Sequence, residues 1–389
     1  MSDEDVVHDA VERLEWDERK DDSPESRWRQ VTRRSALTGG AAGIAALALQ
    51  ACGGSSSSSS SSSGSSSSSS TASAASGGGG SAASGIFGSG TPLKFTLVNH
   101  VTTNPFFTPT QNGAADACKL LGCSYQWTGS QTSNISEMVN AMQSAITAKV
   151  NGIGIPLVDL HAFNKPTTTA LSAGIPVLSY NADATGNDRL AYIGQDLYVS
   201  GQQMGAHIAA LVPSGDVVLF IATPGSLNIQ PRIDGALATL KAHPSIKTHV
   251  VASGAALPME LSTVQSYAVG HPSTKGYFAV DGGSTQSIGQ VIQKQGLKGK
   301  VAGGGYDLTP VTESTLAAGY LDFTIDQQPY LQGFYPILEM YLYNVSQKLS
   351  GIADVDTGLK FLDKTSVIPY NSTKSRYEGT GTSAGVQKA

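Results

Sequence analysis

The chain has little cysteine, little charge and few aromatic side chains, and each shortage excludes a class of protein. Its 389 residues include three cysteines, 14% charged residues and 7% aromatic residues. Three cysteines are too few for a disulfide-stapled scaffold, and their spacing fits no zinc site. No HExxH motif occurs, and no histidine has a second one four residues on. The sequence therefore predicts no metal centre, no cofactor and no enzymatic activity.

Charge is nearly balanced outside the N-terminal segment, which excludes nucleic acid as a partner. Residues 1–34 hold 11 acidic and 7 basic residues, and the rest of the chain holds 19 and 18. A body so close to neutrality has no basic face for a polyphosphate. We therefore expect a neutral ligand.

Residues 33–52 resemble a bacterial export signal that ends in a lipidation site. Arg33-Arg34 precedes a mildly apolar run that ends at Ala51, too short for a membrane span and typical of a signal-peptide core. The doublet resembles a twin-arginine signal, although the general secretory route stays open. Leu49-Gln50-Ala51-Cys52 resembles a lipobox, whose cysteine is acylated. We predict an export signal with a long charged start over residues 1–51 and a lipid on Cys52.

The segment after Cys52 has the composition of a flexible tether. Residues 53–90 carry no charged residue and contain the serine runs 55–63 and 65–70. Such a segment cannot bury enough apolar surface to fold, and a Gly/Ser chain of this length spans roughly 35 Å root mean square. We predict a tether over 52–92 that holds the protein at the outer face of the cytoplasmic membrane, in contact with it only through the lipid.

From residue 93 onward, strand patterns alternate with helix patterns. The strand candidates include 93–99, 152–155, 176–180, 216–221, 247–251, 276–280, 300–302 and 321–325. A helix over 107–121 ends at Gly122, another begins after Asn134, and the glycine run 303–305 indicates a turn. The alternation predicts an α/β protein with parallel sheets, and about ten strands fit two sheets better than one. One large α/β domain is the alternative.

Polar and aromatic residues follow the candidate strands, where open parallel sheets bind their ligands. The candidate binding residues are Asn104, Phe106, Phe107, Asn181, Asp183, Arg232, Asp281, Tyr306, Asp307 and Gln327. Amides and carboxylates pair with neighbouring hydroxyl groups, and aromatic rings cover C–H faces, so the set predicts a neutral polyhydroxylated ligand. Five members have a structural alternative: a core position for Phe106 or Phe107, a salt bridge with Asp234 for Arg232, a turn for Asp281, and a helix cap or turn for Asp307.

Five motifs follow one another along the chain: Asn104-Pro105-Phe106-Phe107, Gly174-Ile175-Pro176-Val177, Arg232-Ile233-Asp234-Gly235, Gly305 to Pro310, and Thr324 to Pro329. In their order and spacing they resemble the sugar-binding proteins of ABC importers, the ribose/galactose-binding class of type I periplasmic binding proteins. The resemblance implies two flavodoxin-like parallel-sheet domains joined by a three-crossing hinge. It also implies hydroxyl contacts by Asn104, Arg232, Asp281, Asp307 and Gln327, with the aromatic residues on the sugar ring.

The resemblance also assigns residues to two lobes. It implies an N-terminal lobe of 93–197 plus 328–356, a C-terminal lobe of 198–327 plus 357–372, and a polar tail over 373–389. The chain departs from ribose binders at Asn181-Ala182, where they have Asp-Arg, and at Pro156, where they have Asn. These departures leave the identity of the sugar open.

The sequence as a whole predicts a monomeric receptor that captures a monosaccharide or related polyol by hinge closure and delivers it to an ABC permease. A sensory receptor, linked to chemotaxis or a kinase and binding a sugar-like or autoinducer ligand, is the alternative. In an oxidising compartment Cys118 and Cys123 can close a short disulfide, with a buried thiol pair as the alternative.

Overall fold

The computed structural model describes residues 92–373. The predicted export signal, Cys52, the serine tether and the polar tail beyond residue 373 lie outside the described residues. Within the described part, no helix is both long enough and apolar enough to cross a membrane.

Strands and helices alternate along the chain. The strands are β1 (Lys94–Asn99), β2 (Ser124–Gly129), β3 (Gly152–Ile155), β4 (Val177–Tyr180), β5 (Ala191–Gly194), β6 (Gly215–Ile221), β7 (Ile246–Ala252), β8 (Gly276–Ala279), β9 (Ala302–Tyr306), β10 (Phe323–Asp326), β11 (Val355–Asp356) and β12 (Lys360–Leu362). The helices are α1 (Thr108–Leu121), α2 (Ile135–Thr147), α3 (Asn164–Ser172), α4 (Leu197–Leu211), α5 (Gln230–Leu240), α6 (Leu257–Gly270), α7 (Gly282–Lys294), α8 (Pro310–Ala317), α9 (Leu331–Val345) and α10 (Ile368–Thr373).

The strands form two six-stranded sheets of the same design. The first has the order β11-β5-β4-β3-β1-β2 and the second the order β12-β10-β9-β8-β6-β7. All pairs are parallel except that of β12 with β10. The central order is that of flavodoxin-like sheets. The first sheet with α1–α3 and α9 is called the first lobe, and the second sheet with the remaining helices the second lobe; the predicted α/β class is confirmed.

Hydrophobic clusters lie on both faces of each sheet. In β6, Val217, Leu219 and Ile221 pack toward α4 and α5, whereas Val218 and Phe220 pack toward the opposite helices. Successive side chains of a strand point to opposite faces, so a continuous apolar run marks a strand covered on both sides. This double burial fixes the positions of the strand ends that line the site.

The chain passes between the lobes three times. It leaves β5 for α4, β10 for α9, and β11 for β12. Gln195 Nε2 donates a hydrogen bond to Gly358 O at 3.0 Å, linking the first crossing to the third. Thr357 Oγ1 donates to Gln327 O at 2.8 Å, linking the third to the second. The crossings therefore form one connected hinge.

Two sequence expectations about helix ends are confirmed, and one about a turn is wrong. Gly122 ends α1 with a left-handed φ of 69°, and the Asn134 side chain accepts a hydrogen bond from Glu137 N–H at the start of α2. The run 303–305 is not a turn but lies within buried strand β9. A Cβ at Gly304 would lie 2.6 Å from the Phe323 ring, so the glycines make room for large neighbours.

Candidate ligand-binding site

A cavity lies between the carboxyl ends of the two sheets. Its empty volume is about 600 Å³, including the open mouth. Eight of the predicted binding residues line it: Asn104, Phe106, Phe107, Asn181, Arg232, Asp281, Asp307 and Gln327. Because both lobes and the hinge contribute to the lining, a ligand there contacts both lobes at once.

Aromatic rings form one wall in the first lobe. Asn104 precedes the 3₁₀ turn Pro105–Phe107, and its side-chain oxygen accepts a hydrogen bond from Phe106 N–H at 3.0 Å. This cap fixes Phe106 against Phe107, with ring centroids 4.7 Å apart and nearly perpendicular planes. The His100 ring packs edge-on against Phe107, with ring centroids 5.3 Å apart. The wall offers aromatic faces to the C–H groups of a ligand.

Asn181 and Asp307 occupy matching places in the two lobes. Each follows the fourth strand of its sheet, with a left-handed φ of 65° and 74°, and each donates its N–H to a carbonyl of the fifth strand. Gln327 connects them, accepting a hydrogen bond from Asn181 Nδ2 at 3.3 Å and donating to Asp307 Oδ1 at 2.7 Å. Left-handed non-glycine residues concentrate at functional sites. Burial raises the pKa of Asp307 to about 7.

Arg232 is the buried cation of the second lobe. Only 2% of it is exposed. Its Nη1 donates to Val280 O at 2.9 Å and its Nη2 to Gln195 Oε1 at 3.4 Å. The guanidinium lies 4.0 Å from the centre of the Tyr306 ring, a cation–π contact. These contacts hold a planar donor group at the cavity.

Two carboxyl groups, Asp281 and Glu260, lie together in the second lobe. Asp281 caps α7 by accepting a hydrogen bond from Ser284 N–H at 2.8 Å, and it also accepts one from Ala222 N–H at 3.0 Å. Glu260, on α6, is 3% exposed and hydrogen bonds to Asp281. Burial, and then the charge of Asp281, raise the pKa of Glu260 to about 9. Asp281 thus caps α7 at the edge of the cavity, and its role as a ligand contact stays a prediction.

The lobes also touch directly beside the cavity. Leu227 N–H, in the loop after β6, donates to Val158 O of the first lobe at 3.0 Å, and the Leu227 side chain packs on a first-lobe cluster. Asn228 Nδ2 and His100 Nε2 are 3.2 Å apart. Because Asn228 Oδ1 accepts from Ser226 Oγ, its Nδ2 donates to Nε2 and the histidine proton lies on Nδ1. Burial lowers the pKa of His100 to about 4, so the ring is neutral.

Four buried polar atoms of residues lining this cavity have no hydrogen-bond partner in the described part of the chain. They are His100 Nδ1, Arg232 Nε, Asn181 Oδ1 and Glu260 Oε2. Buried polar atoms in folded proteins nearly always have partners. Two of the four are donors and two are acceptors, and hydroxyl groups of a ligand can satisfy both kinds.

Two predicted binding residues do not reach the cavity. Asp183 pairs with Arg189 and accepts a hydrogen bond from Ser179 Oγ at 2.8 Å, because the chain turns back toward β5 there. Tyr306 is fully buried beneath Arg232, and its hydroxyl lies 2.6 Å from Ser200 Oγ. Tyr306 therefore supports the guanidinium instead of stacking on a ligand.

The two cysteines of the first lobe lie close together. Cys118 and Cys123 are free thiols in this structure, and they hydrogen bond to each other. This hydrogen bond, and then burial, raise the pKa of Cys118. The disulfide stays a prediction.

Residues 95–346 match the family described as the periplasmic binding protein domain. The chain belongs to this family. It is 52% identical over 305 residues to the xylose/arabinose-binding protein XylF of Sulfolobus acidocaldarius, across 74% of this chain and 75% of that protein. The ribose import binding protein RbsB of Escherichia coli is 28% identical over 240 residues, across 60% of this chain and 78% of that protein.

Solved structures of periplasmic binding proteins share the fold. An ABC transporter solute binding protein from Burkholderia graminis, in complex with D-arabinose, has a TM-score of 0.66 and 26% identity, across 70% of this chain and 96% of that one. The glucose-galactose binding protein GanP of Geobacillus stearothermophilus has a TM-score of 0.65 at 22% identity, across 71% and 99%. The relatives are solute-binding proteins, so the expected fold and the expected lack of enzymatic activity are confirmed.

Among the cavity residues of this periplasmic binding protein that sequence reasoning missed, His100 and Glu260 are the two with a buried polar atom that lacks a partner in the described part of the chain. His100 directly follows β1, so the strand-end rule could have found it. Glu260 lies in the first turn of α6, where an acidic residue is usually explained by the helix dipole. Within residues 92–373, no group of three or more His, Cys, Asp or Glu side chains is arranged to hold a metal ion.

Proposed function

We propose that the protein is an extracytoplasmic receptor for a neutral sugar of the xylose/arabinose type and delivers it to an ABC permease. Family membership and the 52% identity to a xylose/arabinose-binding protein support the ligand class. A solved relative in complex with D-arabinose supports it as well.

One observation in the molecule carries the proposal: unpartnered donors and acceptors surround a cavity that also has an aromatic wall. His100 Nδ1 and Arg232 Nε can donate, whereas Asn181 Oδ1 and Glu260 Oε2 can accept. A sugar hydroxyl both donates and accepts, and the Phe106 ring can cover a C–H face. The cavity thus has the mixed chemistry that a neutral sugar requires.

Closure of the lobes follows from the same arrangement. A ligand held by Asn181 from one lobe and by Arg232 and Asp307 from the other favours the state in which the lobes are together. The hinge that connects the three crossings lets the lobes move while the sheets stay intact. The contacts of Leu227 and Asn228 across the mouth add to the stability of the closed state.

Isothermal titration calorimetry of the purified protein tests the proposal. The panel is D-xylose, both arabinose enantiomers, D-ribose, D-glucose, D-galactose and myo-inositol. We expect at least one pentose to bind, and Asp307→Ala to weaken that binding at least about tenfold, because an acceptor is lost, Gln327 loses a hydrogen-bond partner and Arg232 loses a nearby negative charge.

Asp183→Ala is the matched control. Its carboxylate pairs with Arg189 outside the cavity, so the affinity is expected to stay within about twofold of wild type. Absence of binding to every sugar of the panel would overturn the proposed ligand class. Equal losses in the two variants would contradict the assignment of the cavity.

Export, lipid anchoring, the lobe boundaries and the monomeric state are proposals as well. We propose that residues 1–51 direct export, that Cys52 carries the lipid anchor at the outer face of the cytoplasmic membrane, and that 52–92 is the tether. The proposed lobes are 93–197 plus 328–356 and 198–327 plus 357–372, in a monomer. Mass spectrometry of the membrane-extracted protein should find an acylated Cys52, and Cys52→Ala should release the protein from membranes.

Transport and sensing make different demands on the closed receptor. A transport receptor stimulates ATP hydrolysis by its permease complex when the sugar is bound. A sensory receptor leaves that rate unchanged and binds a membrane sensor instead. Reconstitution with the cognate permease separates the two roles.

A further inference from the structure

Glu260 is a cavity residue that was not predicted from the sequence. It comes from α6, which follows the second strand of the second lobe, and it lines the cavity with 3% of its surface exposed. Among residues 92–373, no group hydrogen bonds to its Oε2. A Cβ at Gly283 would lie 1.9 Å from Oε2, so the carboxyl packs flat on the backbone at the start of α7.

Asp281 fixes this carboxyl from the other side. Its Oδ1 accepts from Ser284 N–H at 2.8 Å, and its Oδ2 accepts from Ala222 N–H at 3.0 Å and from Ser284 Oγ at 3.2 Å. With those acceptor positions occupied by the protein, Asp281 has little capacity left for a ligand. Its remaining contact is the hydrogen bond with Glu260.

We propose that Glu260, positioned by Asp281, accepts a hydrogen bond from one hydroxyl group of the bound sugar and so selects for a sugar with a hydroxyl at that ring position. The proposal rests on the proposed function and assigns one contact within it. Asp281 is then a positioning residue, although strand-end reasoning had made it a ligand contact.

The protonation of the pair follows from its geometry. A hydrogen bond between two carboxyl groups needs one shared proton. The donors around Asp281 stabilise its carboxylate form, so the proton lies on Glu260. Burial and the neighbouring charge raise the pKa of Glu260 to about 9. At neutral pH one side of Glu260 donates to Asp281, and Oε2 remains an acceptor for the sugar.

Two other titratable groups of the cavity have pKa values below the alkaline range. They are Asp307 after β9, with a pKa of about 7, and His100 of the first lobe, with a pKa of about 4; Arg232 on α5 adds a guanidinium group to the same cavity. Loss of the shared proton puts two negative charges in contact at the start of α7. We therefore expect sugar affinity to fall above pH 9 because this pair is disrupted.

The test compares Glu260→Met, which has no acceptor, with Glu260→Gln, whose amide donates to Asp281 and offers an oxygen to the ligand. Titrations use D-xylose, or the sugar of the panel that binds most tightly. We expect Glu260→Met to weaken binding at least about tenfold and Glu260→Gln to recover it to within about threefold of wild type. The wild type should lose affinity between pH 8 and 10, and Glu260→Gln should not.

Glu339→Gln is the matched control, since Glu339 is a buried glutamate of the first lobe outside the cavity. Its pH profile should follow wild type. The set of monodeoxy derivatives of the same sugar then locates the contact. One derivative should bind the wild type more weakly than the parent sugar does. The Glu260→Met variant should bind that derivative and the parent sugar with the same affinity.

The results distinguish a failure of the proposed function from a failure of the Glu260 contact alone. If wild type binds none of the sugars, the proposed function fails and this contact fails with it. If wild type binds a sugar but both Glu260 variants match it in affinity and pH profile, as the Glu339→Gln control should, only the contact is overturned. A Glu260→Gln variant as weak as Glu260→Met also overturns it, and the pH comparison decides the case should Glu260→Met fail to fold.

Discussion

The two lobes repeat one design but line the cavity with different chemistry. After the fourth strand the first lobe has Asn181 and the second has Asp307, in the same left-handed conformation and with the same backbone hydrogen bond. The first lobe adds the neutral His100 and the aromatic pair, whereas the second adds Arg232 and two further carboxyl groups. Shared topology thus sets where the residues lie, and the side chains divide the work between an apolar wall and a hydrogen-bonding wall.

The largest effect is expected from removing the guanidinium group of the hydrogen-bonding wall. Arg232→Met leaves Asp307 without its nearby cation and removes an unpartnered donor, so we expect sugar affinity to fall about 100-fold. Calorimetric titration measures the loss. Arg189→Met, which removes an arginine paired with Asp183 outside the cavity, should leave the affinity within about twofold; a comparable loss in this control would contradict the assignment.

A smaller effect is expected when the matching residues are exchanged. Asp307→Asn should weaken binding about tenfold, because the amide interacts less well with Arg232 and Gln327. Asn181→Asp should weaken it similarly by placing a carboxylate against Gln327 Oε1. The double exchange should not restore affinity, because Arg232 is on the second lobe alone. Recovery to wild-type affinity in the exchanged protein would show that the lobes are interchangeable.

The smallest effect concerns stability and pH. Burial raises the pKa of Glu260 to about 9 and the pKa values of Asp307, Glu313 and Glu339 to about 7. It also raises the pKa values of Asp281 and Asp326 above the ordinary value. The folded chain therefore binds more protons than the unfolded chain from the ordinary value of 4.5 up to about 9. Stability is lost as pH rises through that window.

Differential scanning calorimetry without ligand should show this as a midpoint that falls by several degrees from pH 5 to pH 9. His100 acts with the opposite sign, because its lowered pKa makes the folded state less stable as pH falls from 6.5 to about 4. Glu339→Gln, the one first-lobe member of the set, should reduce the decline only slightly. A midpoint that rises toward pH 9 would contradict the buried carboxyl pattern.

Sequence periodicity could predict most strands and the double-sheet arrangement, because buried parallel strands read as short apolar runs between helices. It could not predict β9, whose glycines are explained only by the large neighbours they admit, such as Phe323. The strands β5, β11 and β12 lie at or next to sheet edges, and the two last are two and three residues long. Such short segments carry too little pattern to stand out from loops.

The strand-end rule could predict eight cavity residues but not how each is oriented. Tyr306 follows the rule and yet turns beneath Arg232, because its hydroxyl finds Ser200 on α4. Asp183 turns away because Arg189 neutralises it. Glu260 illustrates the reverse: it lies in a helix, and its place in the cavity depends on how α6 packs on α7, which the position of the strand ends does not indicate.

The close packing of α9 on α1 has a consequence for how the protein is made. A Cβ at Gly333 would lie 1.8 Å from Thr110 O, and Ile337 and Met340 fill the core of the first lobe. Yet α9 follows β10, so the ribosome finishes five strands of the second lobe before it supplies the helix that covers the first. The lobe begun first therefore stays incomplete until most of the second has been made, and the second lobe's own last elements, β12 and α10, follow after that. Any export route that accepts only folded cargo must wait until the chain has grown past residue 373.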